Sequence, residues 1–276
     1  SQGDWLPKLP DTESRPAVEA DTIRLTPDMQ MADPLPTRWT KLEKGECIDH
    51  DGIYGRHFVY YRTYAPQGKL LEVGRIGHKL INGTDADEVL VSVQGKILPM
   101  LKEDAYSVFY QLPGDSAINR KLEIVMLFES KGLHHHTKVE DYWGIGLNYV
   151  RCGDKELSLE YAYTENERGL NLSKGGGLQE KILPETAELD ESLLSWYSYS
   201  FTLPEQPRGV WFPYHLRLEH SGNGFIYING HCIGRCWQKG PQHEYYIPEC
   251  WLNIGGENHL VVSLCPTRDG AEIRGA

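Results

Sequence analysis

The chain has 276 residues, room for one large domain or two modest ones. Its 28 Lys+Arg stand against 39 Asp+Glu, a formal charge of -11, so nucleic acid and anionic membrane surfaces are excluded as expected partners. The longest apolar stretches, such as Ile124 to Phe128, are far too short to cross a bilayer, and a soluble chain with no membrane span is expected.

Residues 1–39 carry Pro7, Pro10, Pro16, Pro27, Pro34 and Pro36 with no sustained period, which reads as an extended arm lying along something. Strand signals follow over residues 40–163: His57–Tyr64, Glu88–Val93, Leu122–Phe128, Trp143–Val150 and Leu157–Tyr163, each β-branched or aromatic and bounded by turn formers. Residues 164–195, with Gly175-Gly176-Gly177, Pro184 and the acidic run Glu185–Glu191, read as a connector with room for one short helical turn. Strands resume over 196–276 at Trp196–Leu203, Tyr214–His220, Phe225–Ile228, Tyr245–Ile247 and His259–Leu264. With 28 Gly and 16 Tyr, this composition predicts an all-β chain of many short strands and turns.

The two strand-rich blocks can be laid over one another. Tyr60, Arg62 and Tyr64 match Tyr197, Tyr199 and Phe201, Val91–Lys96 matches Ile226–His231, and Asn119 with Leu122–Val125 matches Asn258 with Leu260–Ser263. Three landmarks in one order at nearly constant offset predict two related sandwiches in tandem. In the middle landmark apolar alternation runs into Gln94-Gly95 or Asn229-Gly230, dipeptides suited to a tight hairpin.

Several patterns are weighed for chemistry. Six cysteines could form three bridges, yet a chain this long can bury a core without them, and Cys232 and Cys236 are not spaced as a zinc knuckle. His134-His135-His136, followed by Glu140 and Asp141, would put His134 and His136 on one side of an extended segment as metal ligands stand, against the plainer reading of a polar loop at a domain boundary. Glu129, at the end of an apolar strand, reads as a strand-end cap or ion-pair partner rather than a general acid. Asn82-Gly83-Thr84 and Asn171-Leu172-Ser173 fit the N-glycosylation sequon. No initiating Met and no signal-like segment stand at Ser1, which suggests a processed or excised chain.

The run Gly224-Phe225-Ile226-Tyr227-Ile228-Asn229-Gly230-His231-Cys232-Ile233-Gly234-Arg235-Cys236-Trp237, then Gly240-Pro241-Gln242-His243, Tyr245–Pro248, Trp251-Leu252 and Gly256-Glu257-Asn258, is distinctive. It resembles the C-terminal jelly-roll domain of glycoside hydrolase family 35 β-galactosidases. Tyr61-Arg62-Thr63, Phe128–Gly132 and Asp141–Ile145 resemble the preceding jelly roll of the same enzymes. The resemblance implies two antiparallel, galactose-binding-like jelly-roll β-sandwiches in tandem, and an extracellular or periplasmic setting. Those enzymes place their catalytic glutamates on a (β/α)₈ barrel of about 250 residues, and no such alternation is present here. No residue therefore inherits a catalytic role, and a barrel is expected as a partner in cis or in trans.

A sugar site needs aromatic faces for pyranose C–H groups and polar side chains for hydroxyls. Trp237, Tyr245, Tyr246 and Trp251 with Arg235, Gln242 and His243 supply both, and Tyr142-Trp143 is a second platform. The same residues could instead order the sandwich end or the face packed on another domain. No cofactor is expected, although galactose-binding-like sandwiches often hold a structural Ca²⁺. Three functions compete: a module binding galactose-containing glycans, a purely structural interaction domain, and a glycoside hydrolase with an unrecognised site.

Overall fold

The computed structural model describes residues 22–44, 48, 57–75, 88–104, 106–130, 146–164, 192–207, 213–240, 242–267 and 272–275. The fold is all-β. In chain order the strands are β1 (Met29–Ala32), β2 (Thr40–Leu42), β3 (Phe58–Pro66), β4 (Leu70–Arg75), β5 (Glu88–Val93), β6 (Lys96–Ile97), β7 (Lys102–Glu103), β8 (Ser107–Gln111), β9 (Lys121–Glu129) and β10 (Leu147–Cys152). The second half continues with β11 (Lys155–Glu156), β12 (Leu159–Tyr163), β13 (Ser195–Thr202), β14 (Tyr214–Arg217), β15 (Glu219–Ser221), β16 (Asn223–Ile228), β17 (His231–Cys236), β18 (Glu244–Ile247), β19 (Glu257–Cys265) and β20 (Glu272–Gly275). A 3₁₀ turn spans Glu249–Trp251. The acidic run, the triple glycine, the His triplet and both sequons lie outside the described residues.

The first sandwich packs the sheet β2-β12-β3-β9-β5-β6 on the sheet β11-β10-β4-β8-β7. Its core holds Val59, Tyr61, Val91, Ile124, Met126 and Phe128 against Leu71, Val73, Tyr110 and Val150. The second packs β1-β13-β19-β16-β17 under the two-stranded ribbon β14-β18, with β15 and β20 forming another pair. Here Tyr197, Tyr199, Ile226, Leu260 and Val262 meet Leu216, Tyr245 and Ile247.

The strand order β3-β9-β5-β6 in the first sandwich recurs as β13-β19-β16-β17 in the second. Both hairpin turns use positive φ at two successive residues, 53° and 80° at Gln94-Gly95 and 46° and 86° at Asn229-Gly230, as a two-residue hairpin of type I′ requires. The pairing register corrects two of the landmarks. Tyr61 and Val91 both face Met126, while Tyr197 and Ile226 both face Val262, so Tyr61, not Tyr60, is the counterpart of Tyr197. A one-residue slip exchanges the two faces of a strand, which is why Tyr60 and Tyr197 lie in different cores. The third landmark is off by two residues, which keeps the face: Met126, rather than Ile124, is the counterpart of Val262.

A third core explains why β9, β16 and β19 are buried almost continuously instead of alternately. Phe58, Tyr60, Val125 and Leu127 on the outer face of the first sandwich pack against Trp196, Phe225, Tyr227 and Val261 on the second, joined by Met31 of β1. The two sandwiches are thus stacked face to face. Burying each of these large side chains contributes about 1.5–3 kcal/mol before entropy is counted.

Within the described part of the proline-rich stretch, Met29–Ala32 pairs with a strand of the second sandwich. β1 pairs with β13 in the second sandwich and β2 with β12 in the first, so the chain between them crosses from one to the other. Asp33 sits at this crossing, 7% exposed. It accepts hydrogen bonds from the Tyr60 hydroxyl (2.9 Å), Thr164 Oγ1 (2.7 Å) and Trp196 Nε1 (2.8 Å), tying β1, β3, β13 and the end of β12 together. Burial, followed by the Asp33 charge, pushes the Tyr60 hydroxyl well above its ordinary range, so it stays protonated as the donor. Replacing Asp33→Ala leaves three buried donors without this acceptor, and at about 1–3 kcal/mol for a stranded group the expected loss is about 2–4 kcal/mol after relaxation. Urea denaturation of the variant measures it, and an unchanged midpoint would count against the clasp.

Candidate functional site

The distinctive run of the second sandwich has a local physical logic. A Cβ at Gly234 would come within 2.8 Å of the Tyr245 ring, so glycine lets that ring lie against the β17 backbone. Tyr245 is 1% exposed, and its hydroxyl donates to the carbonyls of Arg235 (3.1 Å) and Gln242 (3.2 Å). Gly240 allows the turn after Trp237, donating from its N–H to the Trp237 carbonyl at 3.0 Å. At the hairpin end, Asn229 Nδ2 donates to the Trp251 carbonyl (2.7 Å) and to Asn258 Oδ1 (2.9 Å). Asn258 in turn accepts from the Asn253 N–H and donates to the carbonyls of Asn253 and Gly256. The Asn-Gly hairpin and the Trp251–Asn258 segment therefore lock onto each other.

Arg235 reaches out of the second sandwich. Its Nη2 lies 2.6 Å and its Nε 3.1 Å from Glu129 Oε1 at the end of β9, and Asn223 Nδ2 donates to Glu129 Oε2 at 3.3 Å. Glu129 is 2% exposed, so this charge pair is part of the seam between sandwiches. Beside it His57 stacks on Phe225 at 3.7 Å and shares a 3.0 Å hydrogen bond with the Tyr227 hydroxyl. Glu129 thus has the pairing role that its strand-end position suggests.

The candidate sugar residues do not converge. Arg235 faces the seam with the half-buried Trp237 ring 5.5 Å from its guanidinium, and Tyr245 is in the core. Trp251, at the opposite end of β17, stacks on His231 at 4.7 Å and 8°. Gln242 and His243 are exposed on the loop before β18, with Gln242 Nε2 donating to the Glu244 carbonyl. Trp143 lies outside the described residues, as does the Tyr142 beside it. Cys236 is buried, its thiol pushed up to about 12 by burial, whereas Cys232 is exposed. Among the described residues no three His, Cys, Asp or Glu side chains group to hold a metal ion, and no helix is long and apolar enough to cross a membrane.

Residues 194–258 match the family model "Beta-galactosidase, galactose-binding domain". The match covers the second sandwich from the start of β13 to the start of β19, and the resemblance read from the sequence holds there. Similar curated proteins include human Beta-galactosidase-1-like protein 2, 38% identical over 80 residues, and human Beta-galactosidase-1-like protein 3, 36% identical over 59. These alignments take in 29% and 21% of this chain but only 11% and 9% of the relatives, so the matched stretch is about a tenth of their length. A solved anti-sigma factor domain-containing protein aligns over 86% of this chain and 84% of its own, at 12% identity and a TM-score of 0.22.

One buried group went unnoticed in the sequence. His220, 8% exposed on β15, lies 5.9 Å ring to ring from His243, and neither of its ring nitrogens makes a well-formed hydrogen bond. Burial lowers its pKa, and His243 and Arg274 lower it further, with only the Gly222 backbone opposing. A folded-state pKa below the unfolded value of about 6.5 means that the unfolded chain takes up the proton first. Its stabilising contribution is therefore complete above about pH 6.5 and is lost as pH falls toward the lowered value. Thermal midpoints measured from pH 7.5 to 5 are expected to fall less steeply for His220→Phe than for the wild type, and parallel curves would contradict this. Truncating Arg235→Met strands Glu129 and is expected to cost about 3–5 kcal/mol in denaturant titration, with Glu129→Gln added to Arg235→Met restoring part of the loss.

Proposed function

We propose that this chain is a non-catalytic accessory region of a β-galactosidase-like glycoside hydrolase, and that it binds galactoside-containing glycans and positions them for a catalytic barrel in cis or in trans. The observation that carries the reading is the match of residues 194–258 to the galactose-binding domain family of β-galactosidases. The repeated strand order supports reading the first sandwich as a second copy of the same jelly-roll unit. Polar candidates that stay at the surface, Gln242 and His243, support contact with sugar hydroxyls.

A second reading, a structural domain packed beside a barrel, is favoured by Arg235 and Tyr245, which make interior contacts here. Calorimetric titration with galactose, lactose and a neutral galactan separates the two. Saturable heat with at least one of these, from protein folded by circular dichroism, is the expected result. No heat with any of them overturns the glycan-binding reading in favour of the structural one. Hydrolysis of a chromogenic β-galactoside by the purified chain, abolished by changing one local carboxylate, would overturn the non-catalytic part.

A further inference from the structure

The stacking of the sandwiches decides which face of the second one can meet a ligand. One face of the β13-β19-β16 sheet is closed by the first sandwich, and the other by the inner face of the β14-β18 ribbon. Among the described residues, the outer face of that ribbon is left exposed. Its strands alternate, with Leu216, Tyr245 and Ile247 turned into the core and His215, Arg217, Glu244 and Tyr246 turned out. Pairing sets His215 opposite Tyr246 and Arg217 opposite Glu244, so the four outward side chains form two adjacent rungs.

Tyr246 is 47% exposed, and it is the one Phe, Tyr or Trp ring so exposed among the described residues of the second sandwich. A lone exposed tyrosine is ordinary on a protein surface. This one is held at both ends: its hydroxyl donates to Glu249 Oε2 at 2.7 Å, and its ring meets the His215 ring edge-on at 6.0 Å. The side chain is therefore fixed before any ligand arrives, which lowers the entropic cost of stacking. Polar groups lie within reach of such a ligand, because side chains opposite one another on paired strands are about 5 Å apart and diagonal ones about 7–8 Å. Arg217 and His215 can donate to hydroxyls, and Glu244 can accept from them.

The charge of the patch narrows the ligand. Arg217 is matched by Glu244 across the ribbon and by Glu219 at 3.6 Å, while Glu249 adds a further negative charge beside Tyr246. No excess of positive charge is present to hold a uronate, sulfate or phosphate, and the whole chain carries -11.

We propose that the outer face of the β14-β18 ribbon is a sugar platform, on which Tyr246 stacks one pyranose of a neutral, galactose-bearing glycan while Arg217, His215 and Glu244 take its hydroxyls. This rests on the glycan-binding reading above and names its subsite. Arg235 and Tyr245 then serve to hold the ribbon and the seam rather than to touch sugar.

Two measurements on the intact chain test it. In the first, a neutral galactan and polygalacturonate are titrated into the wild type, Tyr246→Ala and Tyr246→Phe. Expected are binding of the galactan and not of polygalacturonate, a loss of at least about tenfold in Tyr246→Ala, and affinity within about threefold in Tyr246→Phe, which keeps the ring. Undiminished galactan binding by Tyr246→Ala overturns the platform and leaves the glycan-binding reading standing, whereas no binding by the wild type overturns both. Preferred binding of polygalacturonate overturns the neutral-ligand assignment. In the second, wild-type protein is nitrated at tyrosine with and without galactan, and the sites are read by peptide mass spectrometry. Protection of Tyr246, with Tyr64 (45% exposed) and Tyr106 (64% exposed) unprotected, is expected. Binding that leaves Tyr246 as reactive as before contradicts the proposal independently of how any variant folds.

Discussion

Two sheets press their outer faces together at the centre of this molecule, and most other features follow from that contact. A sandwich normally has one dry face and one wet face per sheet, which makes its strands alternate. Here Phe58, Tyr60, Val125 and Leu127 meet Trp196, Phe225, Tyr227 and Val261, so the central strands are apolar on both sides. Polar groups at the seam must then find partners inside the protein. Asp33 gathers three donors at one place, and Glu129 takes Arg235 and Asn223 at another.

The seam also reassigns the most recognisable part of the sequence. The Gly-Arg-x-Trp step and the Gly-Pro-Gln turn look like a recognition loop because they mix aromatic and hydrogen-bonding residues. Gly234 instead makes space for Tyr245, and Arg235 crosses to the first sandwich. Both are interior contacts, one specifying the fold of the second sandwich and the other joining it to the first.

The fold was legible wherever a strand is long and apolar enough to announce itself. His57–Tyr64, Glu88–Val93, Leu122–Phe128 and Trp196–Leu203 lie within a residue or two of β3, β5, β9 and β13, and both hairpin dipeptides sit at positive φ. Less visible were β4 and β8, whose Leu70–Arg75 and Ser107–Gln111 carry Glu, Gly, Ser and Gln among their apolar residues. Laying one block over the other gives the offset to within two residues but puts Tyr60 on the wrong face, because two tyrosines stand side by side and sequence similarity does not see which way each points. Of the site, burial separated Tyr245 from Tyr246, neighbours that look equivalent in the sequence. Glu129 lies 106 residues from Arg235, and Asp33 lies 163 from Trp196, so no local pattern could have paired them.

If the face-to-face seam is what the structure depends on, the two sandwiches should not melt independently. Differential scanning calorimetry of the intact chain asks this most directly. One transition, with a calorimetric enthalpy equal to the van't Hoff enthalpy, is the result expected of a single cooperative unit. Two resolved transitions, or a calorimetric enthalpy near twice the van't Hoff value, would show that the sandwiches unfold separately and would contradict the account.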